Sequence, residues 1–247
     1  MLAIISDIHG NLEALNAVLD DIRQMKATEI ICLGDLVGYG PNPLECVQHS
    51  LAWDIVLRGN FDHAMTESDC DWPQKLRQMM ERIRVKFKTH QDGEHLIQFL
   101  ENIPSSFERD DILFVHGSPR DHVNEYVFPE HIYDRERMQS IFEGFSRLCF
   151  CGHSHIPGVY YDRSDAWIFE APDQIDYVYR AGKTKTLINV GSVGQPRDGD
   201  PRACYVLVDK DVIVFRRVDY DYETTIKKIR DSDDDDDMDG DRLLVGG

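Results

Sequence analysis

Short apolar runs that break into polar loops organise the first part of the chain. "LAIIS" (residues 2–6) runs into "DIHGN", "EIICL" (29–33) into "GDLVGYGPNP", and "DIVLRG" (54–59) into "NFDHA". Between the first two runs, Leu12, Leu15, Val18, Leu19 and Ile22 recur at three- and four-residue spacing. That period predicts an amphipathic helix, and Asn11 is placed to cap it. The glycines and prolines of "GDLVGYGPNP" mark a loop. This order of strand, loop, helix and strand predicts parallel strands joined by right-handed crossovers. It also sets each polar motif at the carboxyl end of a strand, the edge at which open α/β sheets bind ligands.

Residues 74–102 read as one or two helices, with the break at Gly93 and Pro104 closing the section. "DILFVHG" (111–117) and "RLCFCGHSH" (147–155) are a fourth and a fifth strand with its loop. From 157 to 218 the pattern changes. "GVYYD", "AWIFEA", "IDYVYR", "TKTLINVGS", "ACYVLVD" and "DVIVFRRVD" are short β runs separated by turns, predicting a second, largely antiparallel sheet. No repeat of fixed period is present. Residues 220–230 fit a last helix. "DSDDDDDMDGD" reads as a solvated acidic tail. The chain therefore divides into one domain, 1–230, and a tail, 231–247, in which "LLVGG" is the part able to dock.

Composition narrows the function classes. With 247 residues, 42% hydrophobic and 29% charged, the chain suits one α/β domain with a sizeable core. The formal charge is -18, of which the tail, with eight Asp and one Arg, carries -7. Such a balance argues against a protein that grips duplex DNA by its phosphates. A small phosphate ester remains open, because bound cations reverse the local field. No apolar run approaches the roughly 20 residues that span a bilayer. The first residues lack a basic region and a small-residue cleavage site, so they read as a strand rather than a signal peptide. Cys32, Cys46, Cys70, Cys149, Cys151 and Cys204 read as reduced core residues of a cytoplasmic protein. Oligomeric state is left open.

The polar loops carry candidate chemistry. Two adjacent divalent ions repel, so a carboxylate should bridge them, with further oxygen and imidazole ligands on each. Asp7 and His9 can face one ion, and Asp35 is placed to bridge. Asn60 offers an amide oxygen; His116, His153 and His155 offer imidazoles. In "GHSH" the i, i+2 spacing turns both histidines to one side of an extended segment. A lone HxH or Gly-Asp turn is commonly structural. Five such motifs at five strand ends, expected at the same edge of one sheet, are a different matter. Ser6, Ser118 and Ser154 lie beside these residues and read as turn or supporting hydrogen-bond groups, since none has the arrangement of an activated nucleophile.

"DIHGN", "GDLVGYG", the Gly59-Asn60 pair with Asp62, "VHG" and "GHSH" resemble, in order, the five signatures of the calcineurin-like metallophosphoesterase superfamily. "GDLVGYGPNP" and "NVGSVGQPRDGDPRACY" resemble its small bacterial phosphodiesterase, diadenosine-tetraphosphatase-like branch. The resemblance covers about residues 1–218. It implies an α/β fold of two stacked mixed β-sheets flanked by helices, a four-layer α/β/β/α sandwich. It also implies two divalent ions, drawn from Mn, Fe, Ni, Co or Zn. Asp7, His9, Asp35 and His155 would hold one ion, and Asp35, Asn60, His116 and His153 the other. Hydrolysis would then proceed by attack of a hydroxide held between the ions.

One position departs from the pattern. The family motif "GNHD" has a histidine that donates to the leaving group, and here that residue is Phe61. General acid catalysis contributes about 10²–10⁴-fold, and phenylalanine supplies none of it. With every ligand position filled, the expectation is a working phosphodiesterase or nucleotide pyrophosphohydrolase that favours good leaving groups. His63 and His122 are candidate replacement donors. Asp62, without its family partner, is free to cap the next helix. Tyr39, Asn42, Phe61 and Arg197 are candidate contacts for a small phosphodiester or nucleotide. The alternatives are a protein serine/threonine phosphatase, handicapped without the histidine, and a catalytically weak metal-bearing scaffold.

Overall fold

The computed structural model describes residues 1–67, 72–164, 166–174, 176–232 and 237–247. Cys70 and most of the polyaspartate run lie outside the described residues. The chain begins with strand β1 (Leu2–Ile5), helix α1 (Leu12–Gln24), β2 (Glu29–Cys32), α2 (Pro43–Ser50), β3 (Ile55–Val56) and α3 (Asn60–Thr66). In α1 the periodic residues Leu15, Val18, Leu19 and Ile22 are buried, and Asn11 Oδ1 accepts from the Ala14 N–H at 3.1 Å. That bond satisfies one of the orphan donors at the helix start. Residues 74–102 form two helices, α4 (Gln74–Thr89) and α5 (Gly93–Asn102). Gly93 opens the second, where a Cβ would stand 1.6 Å from the Phe87 carbonyl oxygen. Only glycine permits so close an approach of the two helices.

The rest of the chain is β4 (Ser106–Arg109), β5 (Ile112–Val115), α6 (Arg135–Glu143), β6 (Leu148–Cys151), β7 (Gly158–Arg163), β8 (Ala166–Glu170), β9 (Tyr177–Arg180), β10 (Thr186–Asn189), β11 (Ala203–Asp209), β12 (Val212–Val218), α7 (Tyr222–Asp231) and α8 (Asp237–Val245). Two six-stranded mixed sheets result, ordered β3-β2-β1-β11-β12-β9 and β4-β5-β6-β10-β7-β8. The expectation of one early parallel sheet and one late antiparallel sheet is corrected here. The late strands divide: β9, β11 and β12 extend the sheet begun by β1, while β7, β8 and β10 complete the sheet of β5 and β6. Alternation names a strand but not its partner. Strands β6 and β10 are buried at every residue. They need cover on both faces and so pair in parallel at the centre of a sheet.

Four layers follow. Ile4, Ile31, Phe114, Phe150, Ile188 and Val206 fill the space between the sheets. Leu15, Val18, Ile83 and Phe87 cover the outer face of the first sheet. Met138, Ile141 and Phe142 of α6 cover that of the second. The C-terminal segment differs from a solvated tail. Leu243 of α8 is buried at 4% exposure against Ile226 and Ile229 of α7. Among the described residues, no helix is long and apolar enough to cross a membrane.

Candidate metal centre

The loops that follow β1, β2, β5 and β6, with the start of α3, converge on one place. They come from both sheets, not from one edge of a single sheet as expected. Asp7, His9 and His155 form one donor group, and Asp35, His116 and His153 a second. In the first, His155 Nε2 lies 3.2 Å from Asp7 Oδ1 and 3.1 Å from His9 Nε2. In the second, His116 Nε2 lies 3.1 Å from His153 Nδ1 and 3.2 Å from Asn60 Oδ1. Asp35 Oδ2 stands between them, 3.6 Å from His9 Nε2 and 3.4 Å from His116 Nε2.

Backbone conformation aims these side chains. Asp7, His9, Asp35, His153 and His155 all adopt positive φ, between 49° and 66°. This left-handed region is strained for residues other than glycine and recurs at functional sites. The loops can approach only because of glycine. A Cβ on Gly34 would meet Gly59 N at 2.3 Å, and one on Gly152 would meet Asp7 Oδ2 at 2.5 Å. Ser192 Oγ donates to the Asp7 carbonyl, and Asn189 Nδ2 donates to the Gly152 carbonyl at 2.6 Å and to Ser154 Oγ at 2.9 Å. The "NVGSVGQP" stretch thus ties the first and last loops together.

Hydrogen bonds behind the imidazoles fix their tautomers. His9 Nδ1 donates to the Val37 carbonyl at 3.1 Å and His155 Nδ1 to the Gln195 carbonyl at 2.5 Å. Their Nε2 lone pairs therefore face each other across 3.1 Å, an arrangement that repels unless a cation lies between. His153 Nε2 donates to the Asn124 carbonyl, leaving its Nδ1 lone pair towards the second group. Asp7 is fully buried, yet its Oδ1 accepts no aligned hydrogen bond. A buried carboxylate oxygen left so is costly unless a cation takes it. These residues fit two divalent cations, and an oxygen and imidazole set suits transition metals.

Titration follows the same logic. Burial pushes the His9 and His153 imidazoles down to about 3. For His116 burial opposes the charge, but Asp35 outweighs it and carries the imidazole up to about 9. Burial alone would raise Asp7 and Asp35. The imidazoles around them, His155 and His116 foremost, hold both carboxyls below the usual range.

Asp62 anchors the bridge loop. Its Oδ2 accepts from Asp35 N at 2.7 Å and Gly59 N at 3.0 Å, and its Oδ1 from Leu36 N at 2.9 Å and Val37 N at 3.4 Å. It does reach back to the start of α3, as expected, but three of its four bonds brace the Asp35 loop. Asp35 Oδ1 in turn accepts from Phe61 N at 2.9 Å.

The remaining candidates separate. Tyr39 packs edge-on to the His9 ring at 4.8 Å, and the Arg197 guanidinium lies over Tyr39 at 5.8 Å. Arg197 Nη2 donates to Gln195 Oε1, its N–H donates to the His155 carbonyl, and its buried Nε makes no hydrogen bond. The Asn42 amide donates to Glu45 and accepts from Lys228. Phe61, at 4% exposure, packs among His9, Tyr39 and Trp72 at 4.8–5.1 Å and walls one side of the His9 ring. His63 faces Glu67 one turn along α3, at 3.5 Å. Among the described residues, no hydrogen bond or ring contact joins the His122 side chain to either donor group. Sequence reasoning missed Tyr126, whose ring stacks on His153 at 3.6 Å and 19°. The only signal was an aromatic residue ten positions past His116.

Residues 1–211 match the model of the calcineurin-like phosphoesterase superfamily domain. An uncharacterized protein of Methanocaldococcus jannaschii is 37% identical over 240 residues, 93% of this chain and 91% of its own. A metallophosphoesterase from Sphaerobacter thermophilus is 33% identical with a TM-score of 0.84, covering 100% of this chain and 98% of that one. A hypothetical protein of Pyrococcus horikoshii OT3, 20% identical over 100% and 99% of the two chains, shares the fold with a TM-score of 0.77. Sheet order, donor geometry and the match across both sheets agree: the chain belongs to the calcineurin-like phosphoesterase superfamily and is a metal-dependent phosphoesterase.

Proposed function

We propose that the protein is a two-metal phosphodiesterase or nucleotide pyrophosphohydrolase that acts on small substrates with good leaving groups. In this reading Asp7, His9, Asp35 and His155 hold one divalent ion, and Asp35, Asn60, His116 and His153 hold the other. The observation that carries it is the position of Asp35 Oδ2, 3.6 Å and 3.4 Å from the facing nitrogens of the two donor groups. When bound, two such ions lower the pKa of a coordinated water towards neutrality and offset charge on the phosphoryl oxygens.

The chain's own residues do the rest. Val37 and Gln195 carbonyls lock the imidazoles of His9 and His155 with their lone pairs inward. Asp62 holds the loop that carries Asp35. Arg197, with a buried Nε that makes no hydrogen bond, is suited to a non-bridging phosphoryl oxygen. Phe61 places an apolar ring where a proton donor would stand, so the departing oxygen must be stable as an anion. This selects aryl oxides and phosphates over alkoxides and favours diesters. The buried free cysteines among the described residues agree with a reducing, cytoplasmic setting.

The test is a screen of phosphomonoesters, phosphodiesters and dinucleoside polyphosphates with Mn²⁺, Fe²⁺, Ni²⁺, Co²⁺ or Zn²⁺ added. Turnover of an aryl diester, well above that of an alkyl monoester, is expected. Absence of turnover on every substrate, with two ions bound per chain, would favour the scaffold reading instead.

A further inference from the structure

The C-terminal segment lies beyond the residues that match the family domain, yet it reaches the loop that carries Gln195 and Arg197 beside the donor groups. Helix α8 ends at Val245, and Gly246 follows in the left-handed conformation, φ 65°, with its N–H donating to the Arg242 carbonyl at 3.0 Å. This is a helix C-cap that favours glycine. The Gly246 carbonyl then accepts from Gly199 N at 2.8 Å. A Cβ on Gly246 would stand 2.6 Å from the backbone N and C of Asp200. The segment therefore clips directly onto the loop at 195–200.

That loop is otherwise held from below. Arg217 pairs with Asp198, and Arg202 pairs with Asp200 at 2.6 Å. The carboxylates are thereby neutralised, so the segment meets this loop through backbone contact, while Leu243 packs α8 on Ile226 and Ile229. On its other side the loop carries the Gln195 carbonyl bonded to His155, and Arg197 N bonded to the His155 carbonyl. Leu243 and Ile229 complete a crevice of about 10 Å³ with His9, Tyr39, Gln195 and Thr225. Packing is thus continuous from α8 to the residues beside the metal centre.

We propose that Gly246 and α8 form a strap that positions Arg197 for the substrate phosphate, so that the C-terminal segment sets affinity for the phosphoryl group. This rests on the reading of Arg197 as a phosphate contact. Gly246 is a positioning residue: its effect passes through Gly199 and Asp200 to Arg197. The Gln195 carbonyl that supports His155 lies on the same loop, so metal content is followed alongside phosphate affinity.

The test uses the full-length, Mn-loaded protein and inorganic phosphate as the probe, so that it does not depend on turnover. Gly246→Ala, strained by its φ and its contact with Asp200, should weaken phosphate binding in calorimetry by roughly 3–10-fold, the loss of part of one charge-assisted contact. KM for an aryl diester should rise by the same factor, with kcat and metal content unchanged. Leu244→Ser, on the exposed side of α8, should change neither. In an Arg197→Gln background, Gly246→Ala should have no further effect. Unchanged phosphate affinity in Gly246→Ala, or full additivity with Arg197→Gln, would overturn the strap. An effect that tracks metal loss would also overturn it. A protein that binds phosphate as expected but turns over no ester would contradict the proposed function and leave the strap standing.

Discussion

Asp62→Asn isolates the support of the loop that carries Asp35, the proposed bridge, and Asp62 is the carboxylate changed. The carboxylate accepts two backbone N–H groups on each oxygen: Asp35 and Gly59 at 2.7 and 3.0 Å, Leu36 and Val37 at 2.9 and 3.4 Å. An amide of the same shape keeps one oxygen. Its cheaper orientation turns the NH₂ towards Leu36 and Val37, giving up one good bond and one long one. Each buried donor left unmatched costs about 1–3 kcal/mol, so the sum is about 2–4 kcal/mol once the long bond is discounted. For a chain of this size that lowers the thermal midpoint by roughly 4–16 °C. The Asp35 loop also loosens, and changes behind a ligand typically cost about 10–100-fold in metal affinity. Calorimetric melting of metal-free protein gives the first number, and Mn²⁺ titration gives the second. If Asp62 only capped α3, the midpoint would fall while Mn²⁺ affinity stayed at its native value. That pairing of results would refute a bracing role for Asp62.

Phe61→His puts an imidazole into a space walled by His9, Tyr39 and Trp72, beside an Asp62 whose oxygens are already used. We expect lower stability, by about 1–3 kcal/mol for the poorly partnered polar group, and less than about tenfold gain on alkyl monoesters. A gain of about 10²-fold or more in kcat, plotted against leaving-group pKa, would show that Asp62 can orient a new donor. Asp21 accepts from Tyr205 at 2.7 Å and from Arg216 at 2.8 and 3.0 Å. Burial would raise its pKa, but these bonds outweigh it and hold the carboxyl below its usual value. Its contribution is therefore present above the ordinary carboxylate pKa and is lost as pH falls through the depressed folded value. Asp21→Asn should cost about 1–2 kcal/mol at neutral pH, and the gap to the native protein in urea melts should close below about pH 4; a gap constant down to pH 2 would contradict this.

Much of the candidate centre was legible because its donor residues are polar groups in places that strand ends make conspicuous. Asp7, His9, Asp35, Asn60, His116, His153 and His155 all lie where the motifs put them, and α1 follows from its apolar spacing. The two stacked mixed sheets implied by the family resemblance are what the fold has, but which strand joins which sheet was not legible. The run around Ile55 and Val56 yields only a two-residue strand, and β9 and β10 join different sheets although only five residues separate them. Strand partners are chosen by which faces must be covered, a property of the assembled core. Phe61 and Asn42 sit next to the right motifs but spend their side chains on packing and on Lys228. Local sequence does not record which way a side chain turns. Tyr126 reaches His153 through a loop whose course no periodicity describes. The last helix was hidden by composition: eight aspartates mask the few apolar residues, Leu243 among them, that dock it.

The bridging role of Asp35 is most directly examined by counting bound ions in native protein and in Asp35→Asn. Anomalous scattering from crystals soaked in Mn²⁺, with metal analysis in solution, gives the count and the positions. Native protein should hold two ions about 3.5 Å apart, with Asp35 between them, and Asp35→Asn should lose at least one ion and nearly all hydrolysis. A native centre that takes one ion under metal-replete conditions, with Asp35 turned away, would contradict the dinuclear site. So would a variant that keeps both ions and full activity.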